Sequence, residues 1–130
     1  MKEVLEFLQK CGTFYLATVE GDQPRVRPFG AVCQFEGKLY LITNNKKSVF
    51  AQMQANPKVE ISGMAGGKWI RLSGTVASDP RREPKTAMLD ANPALRNMYS
   101  EDDGVMEVLY FTKASADICS FTDAPVHYEF

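Results

Sequence analysis

Short runs rich in β-branched and aromatic residues, separated by tight turn signals, cover most of this chain. TFYLATVE at 13–20 is followed by the turn GDQP and then by RVRPFGAVCQFE at 25–36. EGK turns into LYLIT at 39–43, and GG at 66–67 separates KVEISGMA from KWIRLSGTVAS. Runs joined by connections this short pair as antiparallel hairpins, because a parallel connection needs a crossover of about a dozen residues or more. Pro28 lacks the N–H that an inner ladder needs, so its run belongs at a sheet edge or a bulge. KWIRLSGTVAS breaks strict alternation, which predicts a bend near Gly74. VMEVLYFTKASADICSF at 105–121 adds two more strands, and VHYEF forms the tail.

Helical patterns interrupt this meander three times. Val4, Leu5 and Leu8 share helical spacing in the first ten residues, with Phe7 beside them and Gly12 as the stop. SVFAQMQANP at 48–57 reads as one short helix with Ser48 as N-cap, Val49, Phe50 and Met53 on one face, and Asn56-Pro57 as its end. Residues 79–99 hold two short helices, the first capped by Asp79 and the second opened by Asn92-Pro93. SEDDG at 100–104 is a solvated acidic loop. The prediction is one domain over 1–130, mainly β with helices, built as an antiparallel barrel of six to seven strands with peripheral short helices.

Composition narrows the function classes. The 130 residues suit one domain, and 45% are hydrophobic, so a core is available. The net charge of -1 and pI of about 5.8 argue against a general nucleic-acid surface. No apolar run approaches the roughly 18 residues of a membrane span, and MKEVLEFLQK is not a signal peptide, so the expected location is cytoplasmic. Cys11, Cys33 and Cys119 are widely spaced, without a metal-binding pattern, and read as reduced thiols.

Three clusters could carry chemistry. In LITNNKKSVF, Thr43, Lys46, Lys47 and Ser48 place hydroxyls and cations at a strand end just before a helix. Free N–H groups and the positive end of the helix dipole would join them to bind a phosphate. The plain alternative is a polar loop with two solvated lysines. In RVRPFG, Arg25 and Arg27 share a face on a regular strand, and convergence with Lys46 and Lys47 would call for a bound dianion. The alternative is two exposed arginines on an edge. In KWIRLSG, Trp69 or Ile70 could pack on a planar ring, or Trp69 could be ordinary core; a buried Arg71 would need a partner.

Taken in order, these segments resemble the FMN-binding split-barrel superfamily, the pyridoxamine 5'-phosphate oxidase-like fold. The likeness covers nearly the whole chain: GTFYLAT, RPFG, TN-x-KKS-x-F, QMQANPKVEI and WIRLSG. The nearest branch looks like small flavin-nucleotide-binding proteins related to nitroimidazole-resistance (Nim) reductases. The resemblance implies a split barrel with FMN at a homodimer interface. Arg25, Val26, Arg27 and Pro28 would run along the flavin, with one of the arginines toward its phosphate. Thr43 and Asn44 would meet the ribityl chain or ring, and Lys46, Lys47 and Ser48 the phosphate. Trp69 and Ile70 would come from the second subunit to cover the flavin. The implied activity is electron transfer from NADH or NADPH to a small-molecule acceptor such as a nitro compound or quinone. The alternatives are a non-catalytic flavin-binding or redox-sensing module, a deazaflavin relative and a haem-binding split barrel. Two departures matter. No arginine follows Arg96, which disfavours a pyridoxamine phosphate substrate. The Nim proteins use an upstream histidine, whereas the lone histidine here, His127, sits in the tail and reads as a surface or packing residue.

Overall fold

The computed structural model describes every residue, Met1–Phe130. Three helices, α1 (Lys2–Cys11), α2 (Ser48–Ala55) and α3 (Arg82–Ala91), and a 3-10 turn (Pro93–Asn97) accompany eight strands. The strands are β1 (Phe14–Glu20), β2 (Gln23–Phe29), β3 (Val32–Phe35), β4 (Lys38–Asn44), β5 (Lys58–Ala65), β6 (Lys68–Asp79), β7 (Met106–Cys119) and β8 (Val126–Glu129). All pairings are antiparallel, in the order β2-β1-β5-β6-β7-β4-β3, with β8 added to β7.

This is the β-plus-α split barrel that the meander and the resemblance imply, with eight strands where six to seven were expected. RVRPFGAVCQFE is two strands, β2 and β3, broken at Gly30-Ala31. VMEVLYFTKASADICSF is one strand of 14 residues, and the tail supplies β8. The Gly30-Ala31 break explains the barrel. β2 and β3 lie at opposite ends of the strand order, yet only two residues join them. Three Cα steps span at most about 11 Å, so the sheet must curl until its two edges nearly meet. Pro28 lies on the edge strand β2, where a missing N–H breaks no inner ladder.

Pairing of β3 with β4 begins at Val32↔Leu41, whereas β4 continues along β7 to Asn44↔Met106. From Ile42 onward, that side of β4 has no neighbouring strand. β2 faces it across the gap, and this is the split.

The interior holds a 19-residue cluster that includes Phe14, Leu16, Leu41, Ile61, Ile70 and Leu72, closed at one end by Val4, Phe7 and Leu8 of α1. Alternation sends Cys33, Tyr40, Met106 and Val108 to the outside of the barrel, where they pack on Met88 and Leu89 of α3. The helix stop at Gly12 (φ 69°) and the turn at Gly66 and Gly67 (φ 58° and 76°) stand as expected. The expected bend falls one residue beyond Gly74, as a register shift between Thr75 and Val76. Cys11 is half-buried, and Cys33 and Cys119 are buried; none forms a disulfide. No helix is long and apolar enough to cross a membrane.

One capping expectation needs correction. Asp79 ends β6 and does not cap α3, whose N-cap position is Arg81. Its carboxylate instead accepts the Arg81 backbone N–H at 3.1 Å and the Tyr40 hydroxyl at 2.8 Å. Asn92-Pro93 does open the 3-10 turn. The acidic loop is more ordered than a solvated loop would be. Asp103 accepts the N–H groups of Ser100, Val105 and Met106, and Glu101 takes the Thr86 hydroxyl at 2.9 Å and Arg96 at 3.2 Å.

Candidate functional site

The split opens into a cleft of about 550 Å³. Arg27, Pro28 and Phe29 of β2 form one wall, and Ile42 and Thr43 of β4 form the other. Lys47 and Val49, at the start of α2, close one side; the segment from Ala91 to Tyr99 closes another.

The turn between β4 and α2 is held by its two asparagines. Asn44 Oδ1 accepts the Lys46 N–H at 3.0 Å, and Asn44 Nδ2 donates to the Tyr99 hydroxyl at 2.8 Å. Asn45 Nδ2 donates to the Gly104 carbonyl at 2.9 Å, and its backbone N–H to Val105 O at 2.9 Å. Lys47 holds an extended backbone (φ -86°, ψ 142°) and is the N-cap position, so Ser48 is the first helical residue and not the cap. No side chain caps α2. The N–H groups of Ser48 and Val49 find no acceptor in the chain, as is usual for a first helical turn, and the positive end of the helix dipole lies with them.

Thr43 is the most telling residue. As a residue it is only 4% exposed, it lines the cleft, and its hydroxyl bonds to no other group of the chain. No buried side-chain polar atom is left without a partner, so this oxygen is the part of Thr43 that stays open, and it opens to the cleft.

Arg27 supplies the second half of the site. Its guanidinium turns inward and donates to Thr18 Oγ1 at 2.7 Å, to Leu16 O at 3.3 Å and to Gln52 Oε1. Thr18 and Gln52 are themselves buried and bonded at 2.6 Å, so the arginine is seated on a rigid polar plug. Three of its five N–H groups are spent there. Desolvation, and to a lesser degree the charge on Arg25, push the Arg27 pKa down from its ordinary value. A negative charge in the cleft would offset both by direct attraction. Neither Arg27 nor Lys47 pairs with a carboxylate, whereas Arg25 does, with Glu20 at 3.0 Å.

The structure therefore separates the residues that sequence grouped. Arg27, Pro28, Thr43 and Lys47 meet in the cleft. The expected convergence of four cations does not occur: Arg25 is outside the cleft on Glu20, and Lys46 is exposed beside it. Val26 is 68% exposed and points away from its neighbour Arg27. Asn44 braces the turn. Ser48 is exposed at the helix start. Trp69 and Ile70 lie on β6 and do not line the cleft of their own chain; the expectation had them reach the cleft of a second subunit. Trp69 is half-buried against Phe121, with ring centroids 4.9 Å apart. Ile70 is 0% exposed in the barrel interior, so its side chain is core and only its main chain could reach a ligand. Arg71 is exposed and needs no partner. His127 lies on β8 between Asp117 (2.7 Å) and Glu129 (3.3 Å), and the Asp117 bond leads the effects that raise its pKa.

Sequence reasoning missed the wall from Ala91 to Tyr99 and the Thr18–Gln52 plug. The proline-punctuated helices marked the first region as irregular, but nothing local tied it to Asn44. For Gln52, the only signal was a polar residue beside Met53 on the buried side of α2.

A family model described as pyridoxamine 5'-phosphate oxidase matches residues 1–113. A NimC/NimA family protein from Clostridium acetobutylicum is 61% identical, with a TM-score of 0.97, over 100% of this chain and 93% of that one. General stress protein 26 from Bacillus anthracis shares the fold at 15% identity and a TM-score of 0.75, over 99% of this chain and 97% of that one. So does a heme binding protein from Mycobacterium smegmatis at 15% identity and a TM-score of 0.75, over 97% of this chain and 56% of that one. No curated protein matches. With a family model over most of its length and a full-length relative of such high identity, the chain belongs to the pyridoxamine 5'-phosphate oxidase family of split barrels.

Proposed function

We propose that the cleft binds FMN and that the loaded protein is a flavin-dependent oxidoreductase, moving electrons from NADH or NADPH to a small-molecule acceptor. The convergence of Arg27, Lys47, the unbonded Thr43 hydroxyl and an uncapped helix start on one cleft carries the reading. Together these supply two unpaired cations, one hydroxyl and free N–H groups, the donor set that a phosphate dianion takes. A cleft of about 550 Å³ lies within the roughly 300–1,000 Å³ range of small-molecule sites. When bound, the flavin supplies the redox chemistry. The chain's own residues bind and orient. Arg27 on its polar plug and Lys47 hold the anion, the Thr43 hydroxyl donates to it, and Pro28, Phe29 and Ile42 offer apolar surface to a planar ring.

The reading includes a homodimer. Tyr15, Val26, Met64 and Phe121 are large apolar residues left more than half exposed, which supports a partner surface in a chain this small. It also includes a cytoplasmic setting, which three unbridged cysteines suit. The one histidine, His127, is not free to take a haem iron, since both its ring nitrogens are engaged by carboxylates.

The test is an absorption spectrum of the purified protein, before and after FMN is added and the excess removed. A retained flavin band near one FMN per chain is expected. A colourless protein would overturn the reading. If FMN is held, oxidation of NADH or NADPH in the presence of a quinone or nitro compound separates an enzyme from a passive flavin carrier.

A further inference from the structure

One wall of the cleft is built by Pro93, Ala94, Leu95, Met98 and two residues with polar groups, Asn92 and Tyr99. Asn92 is committed: its amide donates to Val32 O at 3.1 Å and to Met88 O at 3.2 Å. Tyr99 is not. Its Oη accepts from Asn44 Nδ2 at 2.8 Å, and its own proton has no acceptor in the chain. The Asn44 bond fixes where the oxygen sits, and Asn44 is in turn fixed by the Lys46 N–H. The ring packs in the cluster with Ile42 and Leu95, a contact that a phenylalanine would make equally well. The hydroxyl is therefore a positioned donor on an otherwise apolar wall.

We propose that Tyr99 is a substrate-positioning residue. Its O–H donates to an oxygen of a planar aromatic electron acceptor, of the quinone class, that lies against Leu95 and Met98. The inference rests on the FMN reading above. With the phosphate held by Arg27, Lys47 and Thr43, the anion donors are occupied, and Tyr99 is the free donor left for a neutral acceptor. A quinone carbonyl gains negative charge as it is reduced, so a hydrogen bond at that oxygen strengthens along the reaction.

The experiment uses FMN-loaded wild-type protein and Y99F, both oxidised and without reductant, so that binding is read without turnover. Tetramethyl-1,4-benzoquinone is titrated against the flavin absorbance, and tetramethylbenzene, which has the same ring and methyls but no oxygen, is titrated in parallel. The expected result, with both proteins saturated with FMN, is quinone binding weakened about 3- to 10-fold in Y99F, with tetramethylbenzene binding changed by less than about twofold. Equal quinone affinity in the two proteins overturns the assignment, as does a flavin-loaded wild type that binds no quinone. A parallel loss of tetramethylbenzene binding also overturns it, because the ring packing and not the hydroxyl would then be responsible. If wild-type protein does not retain FMN, the cofactor reading itself has failed and the assignment falls with it.

Discussion

Replacing Thr43 by valine separates the two costs that a binding residue carries. Thr43→Val keeps the β-branch and nearly the same volume, so the strand and its packing are undisturbed. What changes is one hydroxyl, 4% exposed as a residue and without a partner in the chain. Because the oxygen is open to the cleft, its removal relieves no burial penalty, and the ligand-free protein should keep its stability to within about 0.5 kcal/mol. FMN binding should not be spared. A hydrogen bond to a charged group is worth about 1.5–3 kcal/mol, or about a 10- to 100-fold rise in Kd. Urea unfolding of the apoprotein at one fixed protein concentration gives the first quantity, and quenching of FMN fluorescence gives the second. Lost affinity at unchanged stability is the signature. If the valine variant loses more than about 1 kcal/mol of stability, the hydroxyl is satisfied internally and the argument is wrong. If FMN affinity is unchanged, the hydroxyl serves no ligand.

Three further outcomes are expected. Lys47→Ala should weaken FMN by about 1.5–3 kcal/mol, with Lys46→Ala closer to neutral and the exposed Lys2→Ala without effect; unchanged affinity in the Lys46/Lys47 double variant would sink the phosphate site. Gly74→Ala should destabilise the fold by about 1–3 kcal/mol or more in thermal unfolding, because its Cβ would lie 2.4 Å from the Lys113 carbonyl and 2.7 Å from the Phe111 ring; a neutral alanine would show that β6 and β7 separate easily at the bend. The bond from Arg81, reinforced by Tyr40, lowers the pKa of the nearly buried Asp79 to about 2. Because the folded pKa is depressed, the stabilisation of roughly 2 kcal/mol is full above the unfolded value of about 4 and is lost as pH falls through about 2. Acid unfolding of Asp79→Asn should lack this component between those limits, and a curve with the wild-type slope there would contradict the pairing.

The hairpins could be read directly because turn chemistry is local: Gly66-Gly67 adopts positive φ at both positions whatever surrounds it. Strand boundaries could not. Gly30-Ala31 looks like a minor irregularity inside RVRPFGAVCQFE, and only the closing of the sheet makes it the link between two edges. In the same way β7 runs unbroken for 14 residues although it carries the extra residue of the register shift, Thr112, opposite the Thr75/Val76 step of β6, because pairing with β6 resumes on both sides of it. In the site, TNNKKS was recognisable since its donors are contiguous. The choice between Arg25 and Arg27 was not, because Glu20 and the Thr18–Gln52 plug decide it and both lie outside that motif.

From local rules alone came an antiparallel barrel with a cation-rich turn leading into a helix, and the family resemblance named FMN as the expected ligand. Periodicity, turn residues and adjacent charges act over a few positions, so they survive in a linear reading. The curled sheet decided the rest. It left the β4 edge uncovered beyond Leu41, stranded the Thr43 hydroxyl in the gap, turned Ile70 into core, and brought Tyr99 to Asn44 across 55 positions. Such contacts depend on which edges meet when a sheet closes, and that is set by the summed twist and packing of every strand.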